Sequence, residues 1–259
     1  MTERDRYVVR LAEGEADHIA ALRLRYRVFV EELGAGGPLV DHQARVERDE
    51  FDPYFDHLVL IDRERRPADL DHVVGVYRLL PCDRMQAAGR FYSETEFDLT
   101  PLKTSNRRLL ELGRSCMDPG HRGGTGMLHL WNALAGYVLE REIEVLFGAA
   151  SLRGTDPEAL RLPLSYLYHS HLAPEPLRVR AIGPGAVPMD RLPLEAIDRK
   201  QASAEIPALI KAYLRLGGFV GDGAYVDRDF NTTDVCLVMD TARMSAKHRD
   251  FYIKRQGEA

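Results

Sequence analysis

The sequence predicts a mixed α/β (α+β) fold, a central twisted mixed sheet flanked by helices, and three observations lead there. Over residues 107–117 the side chains alternate, with Leu110, Leu112 and Arg114 set against Glu111, Gly113 and Ser115, the period of a strand with two unlike faces. Over residues 126–138, Met127, Leu128, Trp131, Leu134, Ala135 and Val138 recur at three- and four-residue steps, the period of a helix with one buried face. Asp118-Pro119-Gly120 breaks the chain between them, and further strand and helix patterns are mixed along the rest of the sequence.

The elements follow in order. Residues 6–11 read as a first strand. Residues 17–33 read as a helix whose face carries Ile19, Leu22, Tyr26, Phe29, Val30 and Leu33; Arg25 lies one turn before Phe29, and residues 34–38 end it. A polar, acidic segment over 41–55 contains Asp49 and Asp52. Two strands over 57–62 and 72–79 follow, and Pro81 is expected to stop the second just after Arg78. Residues 89–101, with Phe91, Tyr92 and Phe97, suit a loop lining a cleft. Beyond the central strand and helix come a strand over 144–150, a helix over 156–171 broken near Pro163, a strand over 177–182 and a proline-rich loop over 184–193. A helix over 205–216 with Pro207 in its first turn and Gly217-Gly218 as its stop, then strands over 219–226 and 234–239, complete the fold.

Composition bounds the function. A chain of 259 residues, 45% of them hydrophobic, buries a sizeable core; with no repeat and no long linker, residues 1–259 read as one domain elaborated at both ends. Its 35 basic and 40 acidic residues give a net charge of −5, which argues against a nucleic-acid binder. Cys82, Cys116 and Cys236 match neither a disulfide framework nor a zinc site, so a reducing cytoplasm is expected. His169 and His171 lack partners for a metal site, and none is expected. Residues 1–10 lack an apolar signal core, and no run reaches the roughly 20 apolar residues that cross a bilayer. The basic tail with Arg243, Lys247, Arg249, Lys254 and Arg255 reads either as a solvated helix end or as a surface for anionic lipid at the inner membrane face.

The chemistry is expected around the central strand. His121, Arg122, Gly123, Gly124, Thr125 and Gly126 open the helix, and glycines at a helix mouth leave backbone N–H groups free to hold an anion. The Gly-x-Gly-x-x-Gly spacing of a dinucleotide site is missing. Glu111 is either a general base or the partner of Arg114 in a structural ion pair.

These residues carry a resemblance. The strand, glycine loop and helix resemble the core of the GNAT acyltransferases, whose loop reads Gln or Arg, two residues, Gly, one residue, Gly or Ala; Gly124 and Gly126 fit, while His121 stands first. Arg25-x-x-x-Phe29, Asp49-x-x-Asp52, Arg78-Leu79-Leu80-Pro81 and Glu111-x-x-Arg114 occur in the order of the acyl-homoserine-lactone synthases, though without the tryptophan that follows their first helix and with a longer C-terminal part. Glu111 to Cys116, Leu209 to Gly217 and Gly221 to Asp234 resemble the L-ornithine N-alpha-acyltransferases of ornithine-lipid synthesis, over about residues 5–252.

That resemblance implies transfer of a 3-hydroxyacyl chain from acyl carrier protein to the α-amine of ornithine, with no bound cofactor. It implies Glu111 as the base, acting directly or through water, and Arg114 as its orienter or a donor contact. Cys116 and Met117 would supply oxyanion N–H groups, and residues 121–126 would hold the phosphopantetheine phosphate. Arg25, Phe29 and Arg78 are candidates around the substrate carboxylate, and Asp49, Asp52, Asp222, Asp229 and Asp234 for its ammonium. Arg107, Arg108 and Arg122 could meet the acidic carrier. Other expectations stay open: another acceptor such as glutamine, a lactone synthase using S-adenosylmethionine, a carrier-binding module without turnover, or an acyl-Cys116 intermediate.

Overall fold

The computed structural model describes residues 6–243; of the basic tail, Lys247, Arg249, Lys254 and Arg255 lie outside the described residues. From the N-terminus, β1 (Tyr7–Leu11) leads into α1 (Gly14–Arg25), which continues as a π-helical segment, Tyr26–Glu32. Next come β2 (Asp56–Asp62), β3 (Val73–Pro81), α2 (Cys82–Ala88), β4 (Phe97–Asp98), α3 (Thr100–Lys103) and the central β5 (Leu109–Met117). They are followed by α4 (Gly126–Glu140), β6 (Val145–Arg153), α5 (Arg161–His171), β7 (Arg180–Ala181) and β8 (Ala186–Val187). The chain ends with α6 (Arg199–Glu205), α7 (Ala208–Arg215), β9 (Phe219–Val220), β10 (Ala224–Asp227) and β11 (Thr232–Asp240).

The chain forms two compact units, residues 6–88 with 112–142 and residues 89–111 with 143–243. In the first, β1, β2 and β3 form an antiparallel sheet with Val9 opposite Leu60 and Val59 opposite Val76. Neighbours in sequence face opposite ways, so both faces are covered. Ala20, Ala21, Leu24 and Val28 of the first helical stretch form a cluster with Val59, Val76 and Cys116. On the other face α4 lies so close that a Cβ on Gly126 would stand 3.0 Å from Leu60 Cδ2, and one on Gly75 would stand 2.9 Å from Leu130 Cδ1. In the second unit the first three residues of β5 run parallel to β6, and β6, β11, β10 and β8 continue the sheet antiparallel, with β9 also on β11. The sheet is therefore mixed.

Two helical faces differ from expectation for one reason. On the first helix the deeply buried residues are Asp17, Ala20, Ala21, Leu24, Arg25, Tyr26 and Val28, while Ile19, Leu22, Phe29, Val30 and Leu33 are half-buried. On α4 the buried face is Gly126, Leu130, Leu134 and Tyr137, and Leu128 is 40% exposed. Both helices approach the sheet through small residues, which carry no weight in a pattern of large apolar side chains. The π-helical turn, where Leu33 donates its N–H to the Val28 carbonyl, also shifts the phase that a constant helical period assumes. Smaller corrections follow from local chemistry. Pro81 is the last residue of β3, Pro207 precedes α7, and Pro163 sits in the first turn of α5, where a missing N–H costs nothing.

Candidate active site

Glu111 ends the parallel ladder of β5 with β6, opposite Phe147. The Phe147 ring meets Phe91 edge to face at 5.0 Å between centroids, and both rings are fully buried. That contact sets down the start of a 3₁₀ turn, Tyr92–Thr95, beside Glu111. The first N–H groups of such a turn have no acceptor within it. Here Tyr92 donates its N–H to Glu111 Oε2 at 2.8 Å, and Ser93 donates to Oε1 at 2.6 Å. Glu111 is 1% exposed, and each of its two oxygens accepts one of these amide N–H bonds. The segment over 89–101 is thus no cleft-lining aromatic loop. Phe91 and Phe97 are core, and its backbone does the work.

Arg25, Glu47, Asp49, Asp52, Arg78 and Arg114 form one buried network in the first unit. Arg25 donates Nε to Glu47 Oε2 and Nη1 to Asp52 Oδ1, each at 2.5 Å. Arg78 Nη1 reaches Asp49 at 2.6 Å and Asp52 at 2.9 Å, while Arg114 reaches Glu47 at 3.3 Å and Asp49 at 3.1 Å. Arg25 and Arg78 are 0% exposed. Burial works against the charge on Arg25, and Glu47 and Asp52 more than reverse it, so its pKa is raised. Burial likewise opposes the Glu47 charge, but Arg25 and Arg114 hold its carboxyl down at about 2. Asp52 is held well below its ordinary value against burial, chiefly by Arg25, His57 and Arg78. Arg25 and Arg78, expected at the substrate carboxylate, and Asp49 and Asp52, expected at its ammonium, thus lie in one cluster where they bond one another. Phe29 packs against the helix–sheet cluster. Glu47, which the sequence reading passed over, is the acid shared by Arg25 and Arg114.

Arg114 also breaks the expected alternation. Its φ of +48° lies in the left-handed region, and its side chain reaches Glu47 and Asp49. Gly113, beside it, passes within 4.0 Å of the Arg78 guanidinium when a Cβ is placed on it.

The glycine loop divides. The His121 ring nitrogens lie 3.1 Å from Asp118 Oδ1 and 3.1 Å from Asp62 Oδ2, and its N–H bonds the Asp118 carbonyl. Arg122 donates to the Met117 carbonyl at 3.0 Å and forks onto Glu32 at 2.7 and 2.6 Å. Both side chains thus bond residues of the protein itself. Gly123, with φ +80°, and Gly124 are exposed, and Thr125 makes no side-chain cap at the mouth of the 15-residue α4.

Cys116 is buried in the helix–sheet cluster, and burial pushes its thiol up to about 12, so it stays protonated and unsuited to carry an acyl group. Met117 packs its thioether on Gly126. Arg107 bonds Asp240 at 3.0 and 2.6 Å rather than standing free for a carrier. Asp222 pairs with Arg180 at 3.4 Å, and Asp229 is an exposed turn residue. Asp234 is buried, and one oxygen each of Glu96, Asp227 and Asp234 lie within 4.8 Å of one another. His169 bonds the Leu192 carbonyl and Asp190, and His171 stacks edge-on to Tyr166.

Comparison with known proteins is consistent with this geometry. Residues 24–132 match the acetyltransferase (GNAT) domain family. The chain is 61% identical over 249 residues to an L-ornithine N(alpha)-acyltransferase of Rhodobacter capsulatus, covering 96% of this chain and 95% of that one. This chain belongs to the L-ornithine N(alpha)-acyltransferase family. A Brucella abortus relative of the same name is 40% identical over 246 residues, covering 94% of this chain and 88% of its own. The fold of the family, in turn, is shared with a CoA-dependent acyl-homoserine lactone synthase, BjaI, solved with SAM and isopentyl-CoA. The TM-score is 0.52 at 14% identity, over 96% of this chain and 90% of that one. No helix among the described residues is long and apolar enough to cross a membrane.

Proposed function

We propose that the chain transfers a 3-hydroxyacyl group from acyl carrier protein to the α-amine of L-ornithine, giving lyso-ornithine lipid. The amine must lose a proton to attack a thioester. Glu111 takes that proton, directly or through water; the new N–C bond forms as the C–S bond breaks, and the pantetheine thiolate leaves and is reprotonated. Tyr92 and Ser93 hold the carboxylate oxygens still, so the base meets the amine without reorganising. Gly123 to Gly126 cradle the single phosphate of the carrier's arm. The product is an amphiphile made in the cytoplasm and handed to the inner face of the membrane.

The observation that carries this reading is a buried, doubly amide-bonded carboxylate in a chain 61% identical to an enzyme of that name. Incubation with 3-hydroxyacyl carrier protein and ornithine, glutamine or S-adenosylmethionine tests it by product mass. An acyl-ornithine supports it. A lactone from S-adenosylmethionine alone, or carrier binding without turnover, overturns it.

A further inference from the structure

Ser93 belongs to the turn that holds the Glu111 carboxylate, and its N–H bonds Glu111 Oε1 at 2.6 Å. The side-chain hydroxyl is carried by the same residue as that nitrogen, which leaves it within a χ1 rotation of the carboxylate. Ser93 is 0% exposed, and its Oγ has no hydrogen-bond partner among the described residues. A hydroxyl buried without a partner is costly, and such groups are rare in folded proteins unless they serve a purpose.

The chemistry of the base supplies one. The Tyr92 and Ser93 nitrogens donate to Glu111 and cannot accept. They serve the carboxylate, but they offer nothing to an O–H. Once Glu111 has taken the proton of the amine, it is a buried neutral acid whose new O–H needs an acceptor, and a serine oxygen has two lone pairs to give. The neighbours compete poorly for that part. Phe91 and Phe147 are apolar rings packed on each other. Burial raises the Cys236 thiol, and Glu111 adds to the rise, so this sulfur stays protonated; it donates to the Leu237 carbonyl at 3.7 Å. Glu94, on the same turn, pairs with Lys103 at 2.7 Å.

Resting on the reading of Glu111 as the base, we propose that Ser93 is a positioning residue for the proton: its hydroxyl turns about χ1 to accept the O–H that Glu111 acquires. The balance is simple. As the N–C bond forms, one N–H proton of the amine moves to a Glu111 oxygen, and that O–H donates to Ser93 Oγ, which keeps its own hydrogen. As the C–S bond breaks, the proton passes to the leaving sulfur, and Glu111 is a carboxylate again.

The test compares wild type with Ser93→Ala in steady-state assays with ornithine and 3-hydroxyacyl carrier protein. The expected result is a kcat about tenfold lower with both KM values within about twofold of wild type. Alanine is smaller than serine and removes an unpaired hydroxyl, so Tm should stay the same or rise. A second arm needs no turnover. Difference infrared spectra of the free enzyme on acidification show the carboxyl C=O band of Glu111, identified by its loss in Glu111→Gln. That band should stand at higher wavenumber in Ser93→Ala, because its O–H has lost an acceptor. An unchanged kcat, a fall in kcat matched by a fall in Tm, or a band that does not move overturns the role of Ser93. If wild type yields no acyl-ornithine, or Glu111→Gln keeps full rate, the reading of the base has failed instead, and the infrared arm alone decides whether the serine receives the proton of the acid.

Discussion

Arg114 donates Nε to Glu47 Oε1 at 3.3 Å from a backbone position, φ +48°, that side-chain-bearing residues rarely adopt. The ion pair offsets the cost of that backbone conformation. Arg114→Ala loses the guanidinium and keeps the backbone cost, whereas Arg114→Gly loses only the guanidinium. Both variants are expected to lose about 2–4 kcal/mol in chemical denaturation, and the glycine variant to recover about 1 kcal/mol of it. Glycine less stable than alanine would mean that the backbone at 114 leaves the left-handed region once the pair is gone.

The acid limb of the stability curve should carry the signature of Glu47. Its carboxyl lies at about 2 in the folded protein against an ordinary 4.5. Because the folded value is the lower one, the stabilisation is complete above pH 4.5 and drains away as pH falls toward 2, roughly 3 kcal/mol in all. Urea midpoints of wild type should drop steeply across that window. Those of Glu47→Gln should start lower at pH 7 and fall less.

Glu111→Gln is expected to lower kcat by about 10²- to 10⁴-fold. The new amide also turns one NH₂ toward a backbone N–H that now has no acceptor, which costs about 1 kcal/mol of stability. Steady-state rates beside denaturation curves separate the two effects. A full rate would remove Glu111 as the base.

Cys116→Ala should keep turnover within about threefold, because the thiol stays protonated and the amine attacks the thioester directly. Intact-mass spectra of enzyme mixed with acyl carrier protein alone should show no added acyl group. A stable acyl-enzyme that disappears in Cys116→Ala would reverse this.

Much of the fold is legible because its strands are bounded by chemistry that sequence displays. Pro81 closes β3, Gly217 with φ +94° closes α7, and Asp227 accepts two N–H bonds in the turn before β11. The two helix faces are not legible, because Ala20, Ala21 and Gly126 bury by being small. Part of the candidate site is legible where geometry dictates the residue type, as at Gly123, whose φ is +80°. The surroundings of Arg25 and Arg78 are not, because Glu47 comes beside Arg25, and Asp49 beside Arg78, only through the fold. Glu96, more than a hundred positions from Asp234, is brought beside it only by the fold.

The grip on Glu111 comes from peptide nitrogens, which every amino acid except proline possesses. The hydrogen bonds themselves ask nothing of the side chains at 92 and 93, although Ser93 is fully buried and leaves room only for a small one. Proline at either place would remove a donor whatever its fit. The hold on this carboxylate is thus written in backbone, where a change of side chain leaves the fewest marks.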